Sequence, residues 1–256
     1  NHPGVATREF GFEVYGIGVS GANRWEFLGV EEDSDDHEGQ GVVVRLKGTG
    51  IMGNLEVRVE YLLYPDLPGI RKAITVINNG DTDLQLEAID VEHVALKAFP
   101  TYTEVYRRYS RHKHIGPYMG DWDDPVIALH MPEYERGVVL GNEAPGVLKR
   151  IAYYQDRDDF SAGLTHSDQP YPFLKWLAPG ESFTAPPVFL MLYKDERSPY
   201  RVLNFELPDY VRKHMGLEVF KNDYKPLFIY NTWVPFRHNV NEELVEELAD
   251  AAEECG

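Results

Sequence analysis

A single cysteine, Cys255, stands in 256 residues, so no disulfide can form within the chain. Stability must come from burial, and a chain of this length can bury a sizeable core without cross-links. Cys255 falls on the apolar face of an expected helix, where a free thiol behaves as a small hydrophobe rather than a nucleophile. The absence of disulfides leaves the compartment open. No apolar run approaches the roughly 20 residues of a membrane span. Basic residues are scarce: 25 Lys and Arg stand against 42 Asp and Glu, a net charge of −17. Such a surface argues against nucleic acid or an anionic membrane as partner, since both demand a basic face. The chain starts at Asn1 with no signal-like apolar segment behind it, as a processed or trimmed N-terminus would.

What is plentiful is two-residue alternation. Leu55, Val57, Val59, Tyr61 and Leu63 interleave with Glu56, Arg58 and Glu60, and the same period runs through Phe10–Val14 and Val42–Leu46. That spacing sets one face on a core and the other in water, the pattern of antiparallel sheet. Strand breakers recur at Pro65–Gly69, Asn78–Asp81, Pro100, Pro145-Gly146 and Pro179-Gly180. Many strands with almost no helical period up to about residue 205 predict a mainly β fold, a large antiparallel sandwich.

Glu31–Glu38 (EEDSDDHE) holds six carboxylates in eight residues and reads as a solvated, partly mobile loop. Its fit to a calcium loop is loose. The period changes at Leu207–Phe220, where Pro208 suits a first helical turn; residues 206–225 are expected to form a helical linker. In the tail, Leu227–Tyr230 reads as a buried parallel strand. A helix follows, with Asn239 three residues before Glu242 in capping-box spacing and Asn241 as a second cap candidate. Leu244, Leu248, Ala251, Ala252 and Cys255 would form its apolar face. A parallel strand needs a parallel neighbour. The tail is therefore expected to be the opening β–α unit of a larger α/β domain, with the chain cut off just after it.

Three stretches together resemble one family. YLLYPDLPGIRKAITVINNGDTDLQLE (Tyr61–Glu87) is similar to the heart of the N-terminal β-supersandwich of the α-galactosidases, or melibiases, of glycoside hydrolase family 36. LAPGESFTAPPVFLMLYKD (Leu177–Asp195) resembles the segment that closes that sandwich. PLFIYNTWVPFRHNVNEELVEELADAAEECG (Pro226–Gly256) resembles the first strand and helix of the family's catalytic (β/α)₈ barrel, with Asn231-Thr232-Trp233 where the family has Asn-Xaa-Trp. The middle departs: Pro117–Pro125 (PYMGDWDDP) stands in place of the family's Gly-Ala-Trp-like stretch, which leaves the sugar open.

The resemblance implies a sandwich at 1–205, the linker at 206–225 and a truncated barrel start at 226–256. It also implies a retaining hydrolysis of terminal α-linked sugars by two aspartates. Those aspartates lie on later barrel strands, so no catalytic residue is assigned here, and Asp121, Asp123 and Asp124 are not promoted. The implied partners are an oligosaccharide substrate, the rest of the barrel and other copies of the chain; no cofactor or metal is called for. Trp233 is the leading substrate-binding candidate, an indole at a strand's C-terminal end that could stack on a sugar. Asn231 could bind a hydroxyl, and Trp122, in a Gly- and Asp-rich loop, could lean over the pocket. Trp176, beside a strand, reads as core. His112 and His114 share a strand face without a third ligand nearby. Two other readings stay open: a non-catalytic carbohydrate-binding sandwich, marked by an exposed aromatic platform, and a structural oligomerisation domain.

Overall fold

The computed structural model describes residues 7–95, 103–107, 113–114, 118–119, 124–154, 159–215 and 230–255. The chain divides into two units, 1–216 and 217–256, and each is described by itself. In the first, β1 (Glu9–Val14), β2 (Ile17–Ser20), β3 (Trp25–Ser34) and β4 (Gln40–Gly48) come first. Next are β5 (Leu55–Leu63), β6 (Gly69–Asn78) and β7 (Leu84–Ala95). Short β8 (Glu104–Arg107), β9 (Lys113–His114) and β10 (Tyr118–Met119) precede β11 (Val126–Met131) and β12 (Arg136–Asn142). The series ends with β13 (Lys149–Tyr154), β14 (Asp159–Leu164), β15 (Leu174–Leu177), β16 (Ser182–Thr184) and β17 (Val188–Lys194).

These strands form two antiparallel sheets. The seven-stranded sheet runs β10-β13-β14-β7-β1-β2, with β15 also paired to β7. The ten-stranded sheet runs β3-β4-β5-β6-β17-β12-β11-β8-β9, with β16 also paired to β6. One hydrophobic core draws on both: Phe10, Phe12, Leu86, Ile89 and Val91 from the first meet Val57, Val59, Ile74, Val76, Leu129 and Leu140 from the second. The mainly β sandwich expected from the alternation is the fold found.

The ten-stranded sheet is also covered on its other face. Val126, Ala128, Val139, Phe189 and Met191 pack with Val202, Leu203, Leu207 and Tyr210. The last four belong to a π-helical turn, Val202–Glu206, that continues into α1 (Leu207–His214). This double burial is why β11, β12 and β17 read as near-continuous apolar runs while β5 alternates. It also explains the end of β5, where Leu62 packs in the helix-covered cluster and Leu63 is exposed.

Two polar side chains, Asn142 and Lys72, tie the layers together. Asn142 donates to the carbonyls of Arg150 (3.0 Å) and Gly163 (2.7 Å) and accepts from the Ala144 amide (2.9 Å), tying β12 to the opposite sheet. Lys72, on β6, is 1% exposed. Its Nζ lies 2.6 Å from the Glu9 carbonyl, 2.9 Å from Glu9 Oε1 and 3.2 Å from Glu92 Oε1, so it also bridges the sheets. Burial pushes the Glu92 carboxyl up to about 7 despite the lysine. Burial acts the same way on Glu9, but the Lys72 charge and the Tyr61 hydroxyl outweigh it and hold that carboxyl below its ordinary value.

The acidic segment is strand over its first half and a turn over its second. It forms the end of β3 and a tight turn into β4, with Asp35 Oδ1 accepting the amides of His37 (2.9 Å) and Gly39 (2.7 Å). Asp35 Oδ2 accepts the Tyr64 hydroxyl at 2.6 Å. The same turn reaches α1, where His214 Nδ1 meets the His37 carbonyl at 2.8 Å. Under the helix, Tyr210 donates to Glu143, which Arg71 grips with two bonds of 2.9 and 2.8 Å.

In the second unit, positions 227–229 of the expected strand Leu227–Tyr230 lie outside the described residues, and Tyr230, its last residue, has no regular structure. A short α2 (Trp233–Phe236) precedes α3 (Glu242–Cys255). The cap of α3 is Asn241, whose Oδ1 accepts the Leu244 amide at 2.9 Å, so Asn239 is not the cap. No helix among the described residues is long and apolar enough to cross a membrane.

Candidate functional site

Asn231 and Trp233 stand together in the second unit. The Asn231 carboxamide oxygen accepts the Trp233 amide at 2.9 Å, which ties down the first turn of α2. The indole is 56% exposed and meets the His238 ring edge-on at 4.9 Å. An indole braced on one side and open on the other can stack against an apolar ring face. Trp122 lies outside the described residues, as do Asp121, Asp123 and His112. Asp124 is buried and pairs with Arg107 at 2.6 Å. Trp176 is not core: it is 52% exposed on β15.

A second constellation escapes the sequence pattern and lies on the outer face of the seven-stranded sheet. Asp90 on β7 accepts Arg150 Nη1 at 3.0 Å and meets His166 Nε2 at 3.1 Å. The same Arg150 nitrogen donates to Ser161 Oγ at 2.6 Å. Arg150, Gly163 and Asp90 are register partners across β13, β14 and β7. Gly163 is required by the close approach of β7: a Cβ there would sit 2.1 Å from the Ile89 carbonyl. His93 Nε2 approaches Asp159 at 3.8 Å, while its Nδ1 is buried with no hydrogen-bond partner.

Asp90 and His93 are three apart, and strict alternation would put them on opposite faces. Register shifts between β1 and β7 bring them to one face: Glu9 pairs His93, Gly11 pairs Asp90 and Glu13 pairs Glu87. The same irregularity recurs against β14, where Gly163 pairs Asp90 and Ala162 pairs Glu92, leaving Val91 as the extra residue. The second shift, between Glu87 and Asp90, contains Ala88 at a φ of 51°, a left-handed conformation a non-glycine residue rarely adopts. The result is a cleft of about 350 Å³, edged by Arg8, Glu13, Asn23, Asp90, His93 and His166. Burial pushes the Asp90 carboxyl up, but the His166 hydrogen bond and the Arg150 charge outweigh it, and Asp90 stays ionised below the usual carboxylate range. Burial lowers His93 against the pull of Asp90 and Asp159, which favours its neutral form. Fixed donors and acceptors of both signs suit hydroxyl recognition. Among the described residues no group of three or more His, Cys, Asp or Glu could hold a metal ion.

No protein-family model and no curated protein sequence matches the chain. Solved structures do. The α-galactosidase from Lactobacillus brevis superposes with a TM-score of 0.68 at 15% identity, over 96% of this chain and 36% of that one. The galactosidase domain of the α-galactosidase-sucrose kinase AgaSK gives 0.64 at 16% identity, over 100% and 38%. A variant of the GH36 α-galactosidase AgaA from Geobacillus stearothermophilus, in complex with raffinose, gives 0.58 at 20%, over 97% and 38%. The chain thus has the fold of the N-terminal part of the GH36 α-galactosidases and spans 36–38% of the length of these structures.

Proposed function

We propose that residues 1–256 are the N-terminal portion of a retaining α-glycosidase, α-galactosidase-like, that removes terminal α-linked sugars from oligosaccharides. The observation that carries this reading is the superposition of nearly the whole chain, tail included, on α-galactosidases. In this chain the quoted motifs sit at strand joints: Tyr64-Pro65-Asp66 turns β5 into β6, and Asn78–Asp81 turns β6 into β7. On this reading 1–205 is the supersandwich, 206–225 the linker and 226–256 the first strand and helix of the catalytic barrel. One carboxylate of the barrel attacks the anomeric carbon while a second gives and recovers a proton, at a separation of about 5–5.5 Å. Both would come from outside residues 1–256, so this chain alone binds substrate incompletely and does not hydrolyse it. Trp233 would stack on the sugar, Asn231 would hold a hydroxyl, and Trp122 would narrow the pocket mouth.

The test is hydrolysis by the longer protein. Nitrophenyl α-galactoside and raffinose, which one structural relative binds, should be cleaved with retained anomeric configuration in the first product seen by NMR. Trp233→Ala should lower kcat/KM roughly tenfold through lost stacking. Failure to cleave any α-linked galactoside, glucoside or N-acetylgalactosaminide would refute the proposal.

A further inference from the structure

β15 turns large apolar side chains outward. On its core-side face Leu177 is buried and the partly exposed Lys175 lies with its ammonium 5.9 Å from the Phe183 ring centroid and 3.1 Å from Glu181, while Leu174 and Trp176 face solvent, half exposed. A Trp and a Leu side by side on the outer face call for a reason beyond folding. Opposite Trp176 on β7 is Gln85, and beyond it stands Tyr15, 54% exposed, its ring edge-on to the indole at 6.0 Å. Tyr15 is pinned at both ends. Its hydroxyl donates to the Asp83 carbonyl and its amide to the Gln85 carbonyl at 3.2 Å. The next row along the same face is Leu174, Glu87 and Glu13, fixed by register. Glu13 is also an edge of the cleft that holds Asp90 and His166. A held aromatic corner therefore runs through two carboxylates and an amide into a polar cavity.

We infer that this face is a carbohydrate-binding site distinct from Asn231 and Trp233, taking a neutral oligosaccharide. One pyranose lies against Trp176 with Tyr15 as its side wall, and hydroxyls of this and the next sugar reach Gln85, Glu87, Glu13 and the cleft. The charge pattern selects this ligand class. A polyanion would meet Glu13 and Glu87 on a chain of net charge −17, and an apolar ligand would leave the cleft's donors and acceptors unpaired. A sugar ring has an apolar face for the indole and hydroxyls that both donate and accept. A cleft of about 350 Å³ is at the small end of the ligand-pocket range, the size of one or two sugar units. The glycosidase reading suggests which sugars to try; the site itself rests on the residues of this face.

The experiment is calorimetric titration of raffinose and of stachyose into the 256-residue chain, with thermal melts of every variant. Saturable binding is expected, weakened roughly 3- to 10-fold by Trp176→Ala or Tyr15→Ala. Glu87→Gln, which keeps shape and hydrogen bonding but removes charge, should weaken it less than either aromatic loss. Binding abolished by Trp233→Ala and indifferent to Trp176→Ala would overturn the inference. So would the absence of saturation at about 10 mM sugar, where a millimolar site is mostly filled. Sedimentation showing a dimer that Trp176→Ala dissociates would reassign the face to contact between copies. Loss of hydrolysis in the longer protein would leave this binding untouched, so the two proposals fail separately.

Discussion

Replacing Lys72 with methionine should destabilise the sandwich by an amount that grows with pH. The ammonium is buried with two carboxylates, Glu9 and Glu92, within 3.2 Å. Glu92, pushed by burial from its ordinary 4.5 to about 7, binds its proton more tightly folded than unfolded. Its favourable contribution is complete below pH 4.5 and is lost as pH rises through 7. At about 1.4 kcal/mol per pH unit, that loss totals about 3 kcal/mol in the native protein. Above pH 7 the native Glu92 is ionised and paired, and the slope from this group ends. Without Lys72 the carboxyl keeps its proton to higher pH, so the slope continues and the gap between variant and native protein widens by about 1.4 kcal/mol per unit. The baseline penalty near pH 5, where Glu92 is neutral in both, is the loss of the bonds to Glu9, about 1–3 kcal/mol. By pH 9 the total should approach or exceed the roughly 3–5 kcal/mol typical of breaking a buried pair. Urea unfolding of both proteins at pH 5, 7 and 9 measures this directly. A penalty constant across that range, or largest at acid pH, would refute the reasoning.

Three further perturbations test other joints. Asn142→Leu strands two carbonyls and an amide between the sheets and should cost about 3 kcal/mol or more in chemical denaturation. Asp35→Ala removes three bonds at the β3–β4 turn; a loss of about 1–2 kcal/mol is expected, with faster amide exchange at Gly39. Tyr210→Ala empties the helix-covered cluster and should cost about 3–5 kcal/mol, whereas Tyr210→Phe loses only the bond to Glu143 and about 1 kcal/mol.

Fold class was readable because β5 and its neighbours have one wet face, so period and burial coincide. The registers of the turns were readable for the same reason: Pro65–Gly69 and Asn78–Asp81 break backbone pairing wherever they occur. Reading failed where an element had two partners or an inverted phase. The acid-rich stretch reads as a loop because charge density hides a strand end, Glu31–Ser34, whose side chains are mostly exposed. Trp176 reads as core because an apolar residue beside a strand is usually inward, whereas Lys175 and Leu177 hold that side of β15. The Asp90, His93, Arg150 and His166 cluster had no signal in spacing at all. It depends on register shifts along β7 and on a glycine that lets β7 and β14 approach closely. A buried-polar search of strands would have flagged Asp90 and Arg150 singly but not joined them.

The outermost strand of the larger sheet carries a consequence for behaviour at high concentration. Among the described residues β3 has a partner on one flank only, and it offers Phe27, Leu28 and Val30 to solvent. Glu26, Glu31, Glu32 and Asp33 are strung along that same strand, so two molecules meeting rim to rim at neutral pH would set like charges against each other. Salt screens this fence while leaving the greasy side chains in place. At about 1 M salt, where charges are felt over only about 3 Å, the rim turns from repellent to adhesive, and the first contacts of salt-induced aggregates should form there.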